Sequence, residues 1–184
     1  MINIKNILLG LTAVTLFACN QGEEKKTDTH ETHETPTTTE TAPPTTTEET
    51  GSADGTMVNG VLELTLNAND QMQYDKKEFR VKAGQKVKLT LNHTGKMDKV
   101  AMGHNFVLLQ SGIDPAFFAQ AAVKATDNEY IPKSEEKNII AHTKLIGGGE
   151  STSIEFEAPE AGVYPFMCTF PAHWGVMQGK FITE

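Results

Sequence analysis

The chain has 184 residues, 38% of them hydrophobic, and a formal charge of −8 at neutral pH. The charge is unevenly placed. Residues 20–56 hold nine acids against Lys25 and Lys26, residues 57–184 hold fifteen acids against thirteen bases, and Lys5 stands alone. The part long enough to fold is therefore close to neutral, which excludes a nucleic-acid binder working through a basic face.

Residues 1–18 carry Lys5 and then an apolar run from Ile7 to Ala18, too short for a permanent membrane span and patterned as a secretory signal. Leu16-Phe17-Ala18-Cys19 follows the form of a bacterial lipobox, in which Cys19 becomes the lipid-bearing first residue of the exported chain. The plainer alternative is ordinary secretion, with Cys19 lost with the signal. Residues 20–56 contain no Val, Ile, Leu, Phe, Tyr or Trp. This Thr/Glu/Pro-rich stretch cannot bury enough apolar surface to fold, so it is expected to be disordered. As a flexible tether it reaches roughly 30–40 Å. His30 and His33 within it read as solvated rather than metal-binding.

Residues 57–184 are the expected domain, a single core by length. Val61–Leu66, Lys86–Leu91, Phe106–Leu109, Ile139–Ile140, Ser151–Glu157, Gly162–Cys168 and Gly179–Thr183 read as short strands. Ala83-Gly84, Thr94-Gly95, Gly147-Gly148-Gly149 and Ala158-Pro159 supply turns between them. This punctuation predicts an all-β antiparallel sandwich. One Ala-rich segment, Asp114–Lys124, breaks the pattern. Asp114 as N-cap and Pro115 at the first helical position predict a short inserted helix.

The chemistry concentrates near the C-terminus. With Cys19 set aside, Cys168 is the one thiol of the chain and has no disulfide partner in it. It opens Cys168-Thr-Phe-Pro-Ala-His173-Trp-Gly-Val-Met177, and His104 follows Gly103 far upstream. A thiolate and two imidazoles in a plane, with a weak thioether on the axis, form the ligand set of a blue-copper electron-transfer site. Cys168, His173 and His104 would supply the plane, Met177 one axis and the Gly103 carbonyl the other. Singly, each residue has a plainer reading: Met177 as core filler, His104 as a satisfied histidine, Cys168 as an inert buried thiol. Zinc competes for cysteine and histidine, but structural zinc prefers four strong ligands to a thioether. No acid–base pair, nucleophile triad or phosphate loop is present, so no catalysis of bond chemistry is expected.

Asn69–Tyr74, Val100–Leu108, Ile139–Gly147 and Cys168–His173 closely resemble the azurins, a branch of the cupredoxins, and the likeness runs through residues 57–184 in order. The resemblance implies a cupredoxin-like Greek-key β-sandwich or barrel of eight strands with one helix outside it. It implies one copper ion held by Gly103, His104, Cys168, His173 and Met177. It also assigns Asn105 as an amide tying the His104 segment to Thr169. Met72, Met102, Phe170, Ala172 and Val176 become an apolar docking patch around an exposed edge of His173, or a water shield over it. His93 matches a buried family histidine, read either as a pH sensor or as a hydrogen-bonded core residue, and His142 is read as scaffold. Two departures stand out: the family's usual disulfide has no cysteines here, and Trp174 follows His173. The first implies a less braced N-terminal edge; the second either widens the docking patch or covers the histidine. The functional expectation is a monomeric periplasmic electron carrier, lipid-anchored through Cys19, exchanging electrons with a cytochrome or another redox protein. The alternative is a lipoprotein that buffers or delivers copper.

Overall fold

The computed structural model describes residues 54–184. The export segment, Cys19, His30, His33 and all but the last residues of the expected tether lie outside them. Among the described residues ten strands form two five-stranded sheets. Strand β1 is Gly55–Val58, β2 Val61–Asn69, β3 Gln73–Tyr74, β4 Glu78–Val81 and β5 Lys86–His93. Next come β6 Val107–Leu109, β7 Ile139–His142, β8 Ser151–Glu157, β9 Gly162–Met167 and β10 Gln178–Thr183.

The first sheet runs β1-β2-β5-β8, with β3 also paired to β2, and the second runs β4-β10-β9-β6-β7. The chain passes repeatedly from one sheet to the other, which makes a sandwich of hairpins and crossovers. Two pairings, β2 with β5 and β4 with β10, are parallel. The sheets are therefore mixed rather than wholly antiparallel as the turn pattern suggests. Strands β1, β3 and β4 carry no run long enough to stand out in the sequence; each is held by a longer neighbour. The ten strands exceed the eight that the resemblance implies.

Alternation puts one face of each strand inward. Leu62, Leu64, Leu66 and Ala68 of β2 lie in register beside Val87, Leu89, Leu91 and His93 of β5, all of them buried. Each fully buried aliphatic or phenyl side chain of this kind contributes about 1.5–3 kcal/mol. The second sheet answers with Phe79, Phe166 and Phe181, and Phe166 is the hub: its ring centroid lies 5.9 Å from Tyr74, 5.7 Å from Phe79 and 5.3 Å from Phe106.

Strand β6 is apolar on both faces because both are covered. Leu108 faces the sandwich, whereas Val107 and Leu109 join Phe118, Ala122, Ile131 and Met167 in a second cluster outside the sheet. Phe118 and Ala122 belong to the inserted helix, Pro115–Ala122, whose N-cap carboxylate at Asp114 accepts the Ala116 N–H at 2.8 Å. A second, single-turn helix spans Lys99–Met102, and two 3-10 turns precede β7.

The first strand begins at Gly55, and no disulfide holds it: Cys168, the free cysteine among the described residues, is buried elsewhere. The bracing is a tight hairpin. Val58 pairs with Val61 across Asn59-Gly60, both at positive φ (51° and 82°). Asn-Gly favours that twist-matched turn because both central residues tolerate left-handed backbone. The Asp54 carboxylate adds a bond from the Arg80 N–H at 2.9 Å. Phe166→Ala should cost the metal-free protein about 3–5 kcal/mol, read from urea unfolding.

Candidate metal centre

The end of the sandwich where β9 runs into β10 holds the candidate ligands. Cys168 directly follows β9, and its N–H donates to the Met177 carbonyl at 2.9 Å, closing the base of the loop. Inside the loop the His173 N–H donates to Phe170 O, and the Val176 and Met177 N–H groups donate to His173 O. Ala172 sits at φ 68°, a left-handed conformation that folds His173 back over Cys168. His104 arrives from the opposite side, anchored by paired backbone bonds with Ile146 at 3.0 and 2.9 Å.

These loops bring Sγ of Cys168 to 3.6 Å from Nδ1 of His173 and 3.9 Å from Nδ1 of His104. All three side chains are buried, and their ligand atoms lie within 4.8 Å of one another. Sulfur and nitrogen bound at about 2.3 and about 2.0–2.1 Å to one ion, about 120° apart, stand about 3.8 Å from each other. The observed spacing fits one first-row ion in the plane of three donors.

Protonation fits as well. The Asn69 carbonyl, 2.9 Å from Nε2 of His104, can only accept, so Nε2 carries the proton and Nδ1 turns its lone pair to the sulfur. Burial, joined by neighbouring imidazoles, pushes His104 down to about 4; the Asn69 carbonyl opposes it. Burial, helped by the His93 imidazole, pushes His173 down to about 4 too. Both rings are therefore neutral ligands at neutral pH. Burial pushes the Cys168 thiol up to about 11, although the N–H groups of Asn105 and Phe170 and the Tyr74 hydroxyl pull the other way. A metal bound there would take the place of that thiol proton.

The remaining predicted residues fall into distinct roles. The Gly103 carbonyl is 4.0 Å from Sγ. A Cβ at Gly103 would stand 2.6 Å from the Lys99 carbonyl and 2.9 Å from Phe170, so only glycine lets the backbone approach this closely. Met177 is fully buried in the same cluster as Cys168. Asn105 Nδ2 donates to the Thr169 hydroxyl at 2.7 Å, and the Thr169 N–H donates to Asn105 Oδ1 at 2.8 Å. His93 stacks 4.4 Å from the His104 ring. Its Nδ1 accepts the Gly95 N–H at 3.0 Å and its Nε2 bonds the Met102 carbonyl at 2.9 Å. Both ring nitrogens are engaged, so His93 sits as a hydrogen-bonded core histidine and offers no fourth strong ligand. His142 is exposed and outside the centre.

The patch needs correction in two places. His173 is 2% exposed, so its edge is covered rather than open. Phe170 is buried too, its ring centroid 4.7 Å from His173 and 5.3 Å from Tyr130. Met72 and Met102 are half-buried, and Ala172 and Val176 are exposed. Val100, 88% exposed, shares a surface hollow with Phe170 and enlarges the apolar area. Trp174 packs against the helix-side cluster and lines a hollow with Ala116, Ala119 and Val123. The residue that sequence reasoning passed over is Tyr74, buried beside Cys168. A tyrosine inward on a short strand needs a partner for its hydroxyl, and that was the available signal.

A two-sheet β-sandwich that gathers one thiol and two imidazoles at a loop-bearing end is a copper-binding domain of the cupredoxin kind. The sequence profile of copper binding proteins of the plastocyanin/azurin family matches residues 61–184, and the chain belongs to that family. Azurin-2 of Alcaligenes xylosoxydans xylosoxydans is 40% identical over 121 residues, 64% of this chain and 93% of that protein. Outer membrane protein H.8 of Neisseria gonorrhoeae is 40% identical over 125 residues, 66% of this chain and 67% of that protein. Among solved structures, auracyanin A, a "blue" copper protein of Chloroflexus aurantiacus, aligns with a TM-score of 0.62 and 31% identity over 68% of this chain and 100% of its own. Family and donor set together assign one copper ion as the cofactor.

Acid should weaken the metal-free protein in a defined window. The unfolded imidazoles titrate near 6.5 and the folded ones at about 4, so the unfolded chain binds protons first. The stabilising effect of the neutral rings is complete above about pH 6.5 and lost as pH falls towards about 4, a few kcal/mol for the pair. Urea unfolding of the metal-free chain across that range measures it, and a flat profile would contradict it.

Proposed function

We propose that this chain is an exported, lipid-anchored one-electron carrier with a type 1 blue-copper centre. His104, Cys168 and His173 would hold the ion, with Met177 and the Gly103 carbonyl as the further candidate ligands beside them. The observation that carries the reading is the buried thiol flanked at 3.6 and 3.9 Å by two imidazole Nδ1 atoms. When bound there, copper supplies a one-electron couple between its cupric and cuprous states.

The protein residues do the rest. Both histidine loops are tied by backbone bonds, and Asn105 and Thr169 lock the His104 segment to the Cys168 loop. Ligands held this way keep their geometry in both redox states, which favours fast transfer. Met72, Met102, Ala172, Val176 and Val100 form the apolar surface over the site, suited to brief docking of a cytochrome or other periplasmic redox protein. The Thr/Glu/Pro-rich stretch tethers a monomeric domain to the membrane through a lipid on Cys19. The 40% identity to an outer membrane protein of Neisseria supports that placement. Burial of all three donors favours a carrier over a copper-delivery protein, whose ligands need to exchange.

Titrating Cu(II) into the full chain should give one equivalent bound, an intense visible thiolate-to-copper band and a reversible one-electron couple. Cys168→Ala should abolish the band. A colourless copper-loaded protein, or rapid loss of the metal to a mild chelator, would reject the carrier reading. In cells, Cys19→Ala should move the protein from the membrane to the soluble fraction; continued membrane retention would exclude a lipid at that residue.

A further inference from the structure

Glu129 and Tyr130 stand side by side in left-handed backbone, at φ 51° and 63°. Two successive non-glycine residues in that region are strained, and such a turn persists only where its surroundings hold it. Here it is pinned on both sides. The Tyr130 N–H donates to the Ala125 carbonyl at 2.9 Å, and Asn128 Nδ2 donates to the Ile131 carbonyl at 2.7 Å. The turn sends its two side chains to different halves of the metal centre. Glu129 Oε2 accepts the N–H of buried Leu145 at 3.1 Å, and Oε1 lies 3.1 Å from the Lys99 ammonium. Leu145 precedes Ile146, whose N–H and carbonyl pair with the His104 backbone, and Lys99 opens the single-turn helix that leads into Gly103 and His104. One carboxylate therefore joins both segments of the pair that carries His104. The Tyr130 ring meets Phe170 edge-on with centroids 5.3 Å apart, and the Phe170 ring lies 4.7 Å from that of His173.

Resting on the copper reading above, we propose that Glu129 and Tyr130 are positioning residues, a brace that sets both histidine ligands before the metal arrives. Glu129 acts on His104 through Leu145 and Ile146, and Tyr130 acts on His173 through Phe170. Asn105 and Thr169 join the two ligand-bearing segments to each other; the turn steadies each of them from a third segment. The Leu145 N–H makes the stronger of the two Glu129 contacts, because a buried donor meets a carboxylate there. The Lys99 contact is half-exposed and adds little. Ligands already fixed in the metal-free chain bind without first being ordered, so the brace is read in copper affinity. A turn that only stabilised the fold would loosen both rings alike or neither.

The test uses the full-length chain, first without metal. Glu129→Gly leaves the left-handed turn accessible and removes the carboxylate. It should broaden the imidazole NMR signals of His104 and leave those of His173 sharp. Tyr130→Leu should do the reverse. Glu129→Gln keeps an acceptor for the Leu145 N–H and Tyr130→Phe keeps the ring, so both should match wild type, as should Lys99→Gln. In competition with a chelator, Glu129→Gly and Tyr130→Leu should each bind Cu(II) about tenfold more weakly, with the other three variants close to wild type. Should Glu129→Gly or Tyr130→Leu fail to fold, the wild-type metal-free chain still decides: its Leu145 amide, bonded to Glu129, should exchange slowly with solvent. Rings that loosen together or not at all, unchanged affinities, or a rapidly exchanging Leu145 amide would overturn the inference and leave the copper reading intact. A wild-type protein with no charge-transfer band on copper loading would remove that reading, and the inference with it.

Discussion

The metal end of the molecule depends on the paired hydrogen bonds between Asn105 and Thr169. Strands β6 and β9 pair as Val107 with Met167 and Leu108 with Phe166, and that ladder ends there. Continued by two residues, the same register would set Asn105 opposite Thr169. At that position the Asn105 side chain supplies the donor and the acceptor that the parting backbones no longer exchange. The sheet is thus prolonged by a side-chain amide. The splayed backbones leave room for His104 on one arm and Cys168 on the other. An apolar residue at 105 would leave a buried Thr169 N–H without a partner, a cost of about 1–3 kcal/mol paid where the ligands are positioned.

From that tie the electrostatics follow. Two imidazoles and a thiol are removed from water, and burial is the leading cause of every large shift among them, downward for the rings and upward for the thiol. Low polarity keeps the rings neutral, while the Asn69 carbonyl selects the His104 tautomer that leaves Nδ1 free. The loop carries its own restraints: Cys168 to Met177 at the base and the left-handed turn at Ala172 at the tip. A site built from so many fixed groups has few ways to rearrange when its charge changes.

The surface above the centre has a different character. The ligand histidine is covered, and the exposed apolar residues come from separate segments: Val100 from the single-turn helix, Ala172 and Val176 from the ligand loop. Trp174 braces that loop from behind through the cluster shared with the inserted helix.

Much of this was legible from the chain alone, and what was missed has a common cause. Alternation in Val61–Leu66 and Lys86–Leu91 marked half-buried strands, and Asp114-Pro115 marked the helix start, because those signals are local. Glu78–Val81 alternates as well but is short, and it becomes a strand only by parallel pairing with β10, about a hundred residues away in sequence. Gln73–Tyr74 likewise depends on β2, and Asn59-Gly60 is a hairpin signal that needed Gly55–Val58 to be recognised as a strand. Cys168, His173 and Met177 reveal themselves by spacing, since one loop carries them all. By itself the sequence determined the ligand types, the cysteine loop and the alternating core, through chemistry and periodicity that need no distant partner. Only the tertiary structure decided that Phe170 is buried, that Trp174 leans on the helix and that the Tyr74 hydroxyl reaches Asn105, because these depend on which loops meet when two sheets close over one core.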